Sequence, residues 1–237
     1  MLVLNAVLLA PLLLLDALPL ASSSHSSPRP PLPPEGLAPV QVEFHSLNFR
    51  NVLHWKARPS GPDHLRYSVQ YKVYGEAQWS TCKHCQDIQK LECDLSQETS
   101  DPRQWYYARV HAQSTTGPSA WAVSSRFYPQ WDTVFSPPQI RLNVTERGIV
   151  VQIRPPRTPL QGKRSGRVSV TKLQRLKFRI YLTTGEEETI HEAAGCSKKL
   201  VIEPLESGTT YCAQAATVVP LSGVASSRSP RSCISTS

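Results

Sequence analysis

The sequence has no second long apolar run after its first 23 residues. Residues 2–20 are mostly apolar and are followed by small residues up to Ser23, a pattern typical of a cleaved export signal. A membrane-spanning helix needs about 20 mostly apolar residues. The best later candidate, residues 207–227, is interrupted by Ser, Thr, Gly, Gln and Pro. We therefore expect residues 1–23 to be a signal peptide, and the rest to be secreted into the extracellular space without a membrane anchor.

Motifs of common enzymes are also missing. The sequence has no Gly-x-Ser-x-Gly, no His-Glu-x-x-His and no glycine-rich phosphate loop. We therefore predict that the protein is not an enzyme and binds no cofactor. An exported chain without a recognition motif is not expected to bind nucleic acid either.

Acidic residues are missing from residues 154–179, which contain nine Lys and Arg. The excess charge lies in the second half, because residues 133–237 carry 15 basic and 7 acidic residues while residues 1–132 are balanced. Such a surface attracts sulfated glycans or an acidic face of a protein ligand, and a solvated basic strand and loop is the simpler alternative. Heparan sulfate is the glycan partner that we consider, through Lys163, Arg164, Arg167 and Lys172.

Short stretches of alternating polarity fill the rest of the chain. After a Pro- and Ser-rich leader at residues 24–39, apolar residues recur at every second position, for example at Val42 and Phe44, Leu53 and Trp55. Alternation broken by Gly, Pro, Ser and Asn every eight to twelve residues is typical of β-sandwiches. We predict an all-β fold with two sandwich modules, residues 40–132 and 133–237. A stiff elbow at residues 126–138, rich in proline and aromatic residues, joins them.

Tyr74 and Gly75 end one of these predicted strands. Tyr67 and Tyr71 have the opposite parity, so Tyr74 should point away from the core at a turn where Gly75 allows close approach. Exposed tyrosines often anchor protein interfaces, and an ordinary exposed turn is the alternative. Tyr106 and Tyr211 occupy positions expected for corner tyrosines, whose hydroxyls bond to upstream backbone.

Several segments resemble the class II cytokine receptor family. They cover most of residues 40–138 in order, and the second half resembles the family more weakly, around residues 205–212 and at Cys233. The class I motif Trp-Ser-x-Trp-Ser is absent. The matching segments of the first half are residues 42–55, 69–75 with Trp79, 93–101, 106–110 and 126–138.

The resemblance implies two fibronectin type III-like modules that bind a helical cytokine of the interleukin-10/interleukin-22 family. It also implies the disulfides Cys85–Cys93 and Cys212–Cys233. The turn with Lys72, Tyr74 and Gly75 corresponds to part of the family's cytokine-binding surface. Other contacts are expected from the loops at residues 99–104, 114–119 and 157–163 and from the turn at residues 220–221. The contact residues predicted in these segments are Thr99, Asp101, Arg103, Thr116, Pro118, Pro159, Leu160, Pro220 and Leu221.

Two cysteines, Cys82 and Cys196, are left without a partner by these pairings. They could pair with each other, pair between molecules or stay free. The segment from Cys82 to Cys85 also has the spacing of a zinc or redox motif, but no second pair of ligands follows at suitable spacing. Asn143 begins the one glycosylation sequon of the chain.

Together these observations predict a secreted decoy receptor that holds a helical cytokine away from signalling receptors. Two alternatives stay open. The chain could be the outer part of a membrane-anchored class II cytokine or interferon receptor subunit, present here as a truncated isoform. It could instead be a secreted glycan-binding or adhesion protein built from fibronectin type III modules.

Overall fold

The computed structural model describes residues 35–59, 64–114, 117–162, 166–203 and 205–237. The expected signal peptide and residues 24–34 of the leader lie outside the described residues. Within the described ranges the regular secondary structure is almost entirely β-strand, as predicted, and none of the helices is long and apolar enough to cross a membrane. The helices are a single α-turn, α1 (Pro129–Asp132), and the 3-10 turns Glu35–Leu37, Lys83–Cys85 and Val170–Lys172.

The first module is a sandwich of two antiparallel sheets. One sheet has the order β1-β2-β5, and the other has the order β4-β3-β6-β7, with β8 also pairing with β6. Its strands are β1 (Val40–Leu47), β2 (Arg50–Lys56), β3 (Arg66–Val73), β4 (Ser80–Thr81), β5 (Glu92–Asp94), β6 (Tyr106–Ser114), β7 (Gly117–Pro118) and β8 (Ala122–Val123).

The core of this module is filled by the apolar side chains that alternate with polar ones along its strands. Side chains at every second position of a strand share one face of the sheet, so Leu53 and Trp55 of β2 enter the core together. They meet Tyr67 and Val69 of β3, and the rings of Trp55 and Tyr67 lie 5.6 Å apart between centroids. The two inner faces predicted from the sequence therefore form the sandwich core.

The second module repeats this plan with sheets β15-β10-β9 and β14-β13-β16-β17, and a separate ribbon of β11 and β12. Its core contains Ile149, Val151, Phe178 and Ile180, which the sequence pattern also placed inside. The strands are β9 (Gln139–Thr145), β10 (Gly148–Arg154), β11 (Arg157–Gln161), β12 (Arg167–Ser169), β13 (Lys177–Thr184), β14 (Glu187–Ala194), β15 (Lys199–Ile202), β16 (Thr210–Val218) and β17 (Ser232–Ser235).

Gly148 is required at the hairpin between β9 and β10. Its φ angle is +141°, and a Cβ atom at this position would lie 2.3 Å from the carbonyl oxygen of Ile202. Any larger residue would push β10 away from β15, because Ile149 pairs with Ile202 in that ladder. The pairing of β10 with β15 therefore depends on the absence of a side chain at Gly148.

Each module contains the disulfide that the family resemblance implies. Cys85–Cys93 joins the segment after β4 to β5, and so links the two sheets of the first module. Cys212–Cys233 joins directly opposed residues of β16 and β17. Cys82 and Cys196 are not in disulfides.

The elbow is held by the turn between β1 and β2. Asn48 and Phe49 form this two-residue turn with φ angles of +54° and +63°, as in a type I′ hairpin. The backbone N–H of Asn48 donates to Val134 O at 2.9 Å, and its side-chain oxygen accepts from the backbone N–H of Ser136 at 3.0 Å. One hairpin of the first module thus pairs with the segment that leads into the second.

Phe49 completes the contact between the modules. It packs in one buried cluster with Phe135 of the elbow and with Val170 and Leu176 of the second module. From the second module, the hydroxyl of Thr217 donates to Ser136 O at 2.8 Å. The elbow is therefore packed against both modules, in agreement with the expected stiff connection. The exact boundary at residue 132 stays a proposal.

Replacing Phe49 should loosen this junction. Removing a large buried side chain costs about 3–5 kcal/mol, so we expect Phe49→Ala to lower the free energy of unfolding by that order in urea titrations. Leu47→Ala is the control, since Leu47 lies in the same hairpin but is exposed, and we expect a change within about 0.5 kcal/mol. Equal effects of the two substitutions would contradict a structural role for Phe49.

Candidate ligand-binding surface

The turn at Tyr74 and Gly75 projects from the elbow end of the first module. β3 ends at Val73, and the turn closes where the backbone N–H of Glu76 donates to Val73 O at 3.2 Å. Gly75 has a φ angle of +92°, and nothing lies within 4 Å of where its Cβ would be. The side chain of Tyr74 points outward as expected and is 58% exposed.

Lys72 lies on the same outward face as Tyr74. Its ammonium donates to Glu76 O at 3.1 Å and lies 5.0 Å from the ring centroid of Trp79. These two contacts hold the long side chain across the turn. Lys72 therefore stabilises the shape of the turn, and it also places a positive charge on the outward face beside Tyr74.

Further aromatic side chains surround Tyr74. The rings of Tyr74 and Tyr107 lie 6.3 Å apart, and Trp105 stacks on Tyr128 at 4.3 Å. The guanidinium of Arg126 joins the two pairs, since it lies 4.0 Å from the Trp105 ring and 5.8 Å from the Tyr74 ring. We call Tyr74, Trp105, Tyr107, Arg126 and Tyr128 the aromatic cluster.

Four members of the aromatic cluster were not predicted from the sequence. Two of them, Trp105 and Tyr107, could have been predicted, because they flank Tyr106 in the sequence and Tyr106 was expected to face inward. Their side chains must then face outward. Arg126 and Tyr128 come from the elbow, and their proximity to Tyr74 depends on long-range pairing, such as the hydrogen bonds between Tyr106 and Phe127.

The loop at residues 99–104 lies beside this cluster. The backbone N–H of Gln130 in α1 donates to Pro102 O at 3.1 Å, which ties the loop to the elbow. Asp101 and Arg103 form a salt bridge through two hydrogen bonds of 3.1 and 3.3 Å. Hydrogen bonds from Arg103 hold the pKa of Asp101 below its usual value, so the loop presents this pair in charged form at neutral pH.

Thr99 was predicted to contact the ligand, but the structure buries it. It is only 1% exposed. Its hydroxyl donates to Leu95 O at 2.7 Å and accepts from the side-chain amide of Asn51 at 2.7 Å. Thr99 shapes the base of the loop, and its side chain is not available to a ligand.

Pro118 is a second correction, because it lies at the wrong end of the module. β6 begins at Tyr106, beside Tyr74, and its register pairs Gln113 with Pro118 near the other end. Seven residues of strand separate Tyr106 from Gln113, a span of about 23 Å. Pro118 therefore does not join the surface around Tyr74. Thr116, in the same loop, lies outside the described residues.

The second module adds the turn that follows β16. The backbone N–H of Val219 donates to Val224 O at 2.9 Å, so Pro220 and Leu221 are held at a closed tip. Val219 packs against the buried cluster of Phe49 and Phe135. This places the turn at the elbow, and Leu221 is 80% exposed there.

Pro159 and Leu160 are half-buried residues of β11. Thr158 beside them is fully buried, and its hydroxyl accepts a hydrogen bond from the backbone N–H of Leu160 at 3.1 Å. Among the described residues, no hydrogen bond, ion pair or ring contact joins Pro159 or Leu160 to the aromatic cluster. Their role as ligand contacts stays a prediction.

Other predicted modification and glycan sites lie on the second module. Asn143 is exposed on β9, and its glycosylation stays a prediction. Of the four residues proposed for heparan sulfate, Arg167 and Lys172 are exposed, while Lys163 and Arg164 lie outside the described residues.

Four potential metal donors converge in the first module, namely Cys82, His84, Cys85 and Cys93, with ligand atoms within 4.8 Å of one another. Two of the sulfur atoms are joined in the Cys85–Cys93 disulfide and cannot bind a metal as thiolates. The set therefore offers one thiol and one imidazole, fewer than the four ligands of a structural zinc site.

Comparisons with known proteins agree with this fold. A family model described as tissue factor matches residues 6–121, and one described as interferon-alpha/beta receptor, fibronectin type III, matches residues 133–237. The solved structure of the selenomethionine-substituted chicken interferon gamma receptor alpha chain superimposes with a TM-score of 0.67. It covers 84% of this chain and 97% of that one at 24% identity, which supports the fold alone. The chain belongs to the class II cytokine receptor family, whose members are receptors and not enzymes.

Within the family, the chain is similar over most of its length to interleukin-22 receptor subunit alpha-2. The Mus musculus protein is 34% identical over 200 residues, which is 84% of this chain and 87% of the relative. The Homo sapiens protein is 28% identical and covers 84% and 89% of the two chains. Interleukin-20 receptor subunit alpha of Mus musculus is 33% identical, but only 37% of that protein is covered.

Tyr106 should control the loop beside the aromatic cluster. Its buried hydroxyl donates to Asp101 O at 3.1 Å, and burial raises its pKa to about 12. We expect Tyr106→Phe to cost about 1 kcal/mol of stability at neutral pH, because the hydrogen bond is lost. In the unfolded chain tyrosine ionises near pH 10. The stability contributed by Tyr106 is therefore complete below pH 10 and is lost as the pH rises towards 12.

Urea titrations at pH 7 and pH 11 test both effects. The loss of stability between these pH values should be smaller in Tyr106→Phe than in the wild type. Tyr107→Phe removes a tyrosine from the same strand whose hydroxyl makes no hydrogen bond to any described residue. If both variants follow the same pH dependence, the special role of Tyr106 is refuted.

Proposed function

We propose that the chain is a secreted receptor that binds a helical cytokine related to interleukin-22 and withholds it from signalling receptors. The observation that carries this proposal is the match to interleukin-22 receptor subunit alpha-2, which spans 84% of this chain and 87% of the mouse protein. The expected signal peptide at residues 1–23 supports secretion.

The elbow geometry supports a binding surface shared by the two modules. The aromatic cluster and the loop at residues 99–104 lie at the elbow end of the first module. The turn with Leu221 approaches the elbow from the second. Because Phe49 and Ser136 contact both sides, little orientational freedom is lost when a ligand binds, and this favours affinity.

Exposed tyrosine and tryptophan rings suit the centre of such an interface. They supply large apolar area with few rotatable bonds and often carry most of the binding energy. Lys72, Arg126 and the Asp101–Arg103 pair surround the rings with charge, which favours orientation and specificity over raw affinity. We infer that Tyr74 is the central anchor, because it is the most exposed ring of the aromatic cluster.

Loss of the Tyr74 ring should weaken cytokine binding. We expect Tyr74→Ala to cost about 2 kcal/mol, or about 30-fold in Kd, in calorimetry or surface plasmon resonance against interleukin-22 and related helical cytokines. Urea unfolding of the variant should be nearly unchanged, since the side chain is exposed.

Pro118→Ala is the matched control, because Pro118 is exposed on the same module but lies at the opposite end. It should bind the cytokine like the wild type. Wild-type affinity of Tyr74→Ala would exclude the anchor role, and failure of the wild type to bind any such cytokine would exclude the proposed function. A decoy must also lower the response of cells that carry signalling receptors when it is added with the cytokine.

Two alternatives differ in measurable ways. A membrane-anchored receptor subunit would be recovered with membranes when a full transcript is expressed, whereas the proposed protein is found in the culture medium. A glycan-binding or adhesion protein would bind sulfated polysaccharide without binding any cytokine.

Heparan sulfate is a further partner that we propose for the second module. Arg167 and Lys172 are exposed, and no ion pair involves either residue within the described part of the chain. We expect the protein to be retained on a heparin column, and the combined neutralisation of Lys163, Arg164, Arg167 and Lys172 to lower the salt needed for elution. Unchanged elution of this variant would exclude the site, while cytokine binding should be unaffected.

A further inference from the structure

The first module contains a third cysteine next to its disulfide. Cys82 is 1% exposed and unpaired, and its Sγ atom lies 3.7 Å from Sγ of Cys93. Because a disulfide bond is about 2.05 Å long, the two sulfur atoms are about 1.7 Å from bonding distance. This gap is small enough for exchange once a change of side-chain rotamer brings the Cys82 sulfur into line with the Cys85–Cys93 bond.

His84 supplies a base at the same position. Its Nε2 atom lies 2.9 Å from the carbonyl oxygen of Asp94. A carbonyl only accepts hydrogen bonds, so Nε2 carries the proton and Nδ1 of the neutral ring is free to accept one. Nδ1 lies 3.5 Å from the sulfur of Cys82. The orientation of His84 thus matches the need to remove the thiol proton.

Glu98 orients this pair from the other side. Its Oε1 atom lies 3.6 Å from Nδ1 of His84 and 3.9 Å from the sulfur of Cys82. Its second oxygen, Oε2, is buried and has no hydrogen-bond partner among the residues that the structure describes. A thiol, a base and a carboxylate are therefore grouped around a disulfide, with the imidazole placed to take the thiol proton and the carboxylate placed to stabilise the imidazolium that results.

We propose that Cys82 exchanges with the Cys85–Cys93 disulfide within the folded module. The Cys82 thiol gives its proton to His84, and its sulfur attacks Sγ of Cys93. A Cys82–Cys93 bond forms as the Cys85–Cys93 bond breaks, and Cys85 leaves as a thiolate that takes the proton back from His84. One disulfide and one thiol are present before and after, so the step needs neither oxidant nor reductant.

Loop lengths permit both pairings. The bridge Cys85–Cys93 has a sequence separation of 8, and Cys82–Cys93 would have a separation of 11. The entropy that a bridge removes from the unfolded chain changes only slowly with loop length. Chain entropy therefore gives neither isomer a large advantage, and native packing decides their ratio.

Burial makes the exchange slow at neutral pH. Burial and the nearby charge of Glu98 raise the pKa of Cys82 to about 11, and the thiolate is the attacking form. The titratable groups that face Cys82 are His84, Glu98 and Tyr71. Below pH 11 the thiolate fraction rises about tenfold for each pH unit, so alkaline solution should accelerate the exchange strongly.

Disulfide mapping tests the proposal. The Cys196→Ser variant is used, because Cys82 is then the single free thiol of the starting protein. The variant is held at pH 7 or pH 9 and then quenched with acid. Free thiols are labelled with N-ethylmaleimide in denaturant at low pH, and non-reduced peptides are identified by mass spectrometry. We expect the label to spread from Cys82 to Cys85 in at least a few per cent of molecules. The rate should be about tenfold higher at pH 9, because proton transfer to His84 carries most of the exchange at pH 7 and hydroxide carries it at pH 9, and it should be independent of protein concentration. A label confined to Cys82 at both pH values would overturn the proposal.

Two variants separate exchange from folding effects. In the Cys196→Ser background, Cys85→Ser should form the Cys82–Cys93 bridge during oxidative folding, and two free thiols in this folded variant would also refute the exchange. His84→Gln should slow the exchange about tenfold at pH 7 and less at pH 9, where hydroxide replaces the base. Equal slowing at both pH values would show that His84 acts only through packing.

Discussion

The packing of the β1–β2 turn against the elbow is the interaction on which the rest of the structure depends. Asn48 and Phe49 both have left-handed backbone conformations, which cost about 1–2 kcal/mol per residue outside glycine. Burial of the Phe49 ring returns about 1.5–3 kcal/mol, and the paired hydrogen bonds between Asn48 and Ser136 add to it. The turn is therefore stabilised by the elbow and by the second module, so the fold of the first module and its packing against the second are coupled.

β6 shows how one strand serves both the core and the proposed ligand surface. Tyr106 faces inward and fixes the loop at residues 99–104 through the carbonyl oxygen of Asp101. Its neighbours Trp105 and Tyr107 face outward into the aromatic cluster. Successive side chains of a strand point to opposite faces of the sheet, so one residue faces the core and its two neighbours face outward. The rigid inner contacts thus hold the outer rings in place before any ligand arrives, and preorganised rings lose less entropy on binding.

Alternation of polarity allowed most of the fold to be predicted, because it reports which face of a strand is buried. It does not report which end of a module a loop occupies. Pro118 was for that reason expected among the ligand contacts, and only the register of β6 with β7 shows that it lies at the opposite end of the module from Tyr74. Thr99 was misjudged because a loop position says nothing about whether a hydroxyl is used internally. Arg126 and Tyr128 reach Tyr74 through pairing between distant segments, which a single sequence does not reveal.

Cys82 lies close in the chain to the turn that forms part of the proposed ligand surface, so a change of its bonding partner could affect that surface. The chain passes from the Tyr74 turn through Trp79 and β4 directly into Cys82, whose backbone N–H donates to Val69 O. Any isomer that moves Cys82 must therefore pull on β4. Trp79 resists that movement, because its ring is held between Lys72 and Arg109, at 5.0 and 4.3 Å from its centroid. The guanidinium of Arg109 is in turn held by Gln70 and by the ring of Trp121. Trp79 lies between Tyr74 and Cys82 along the chain, so this stack favours a Tyr74 turn of the same shape in both isomers.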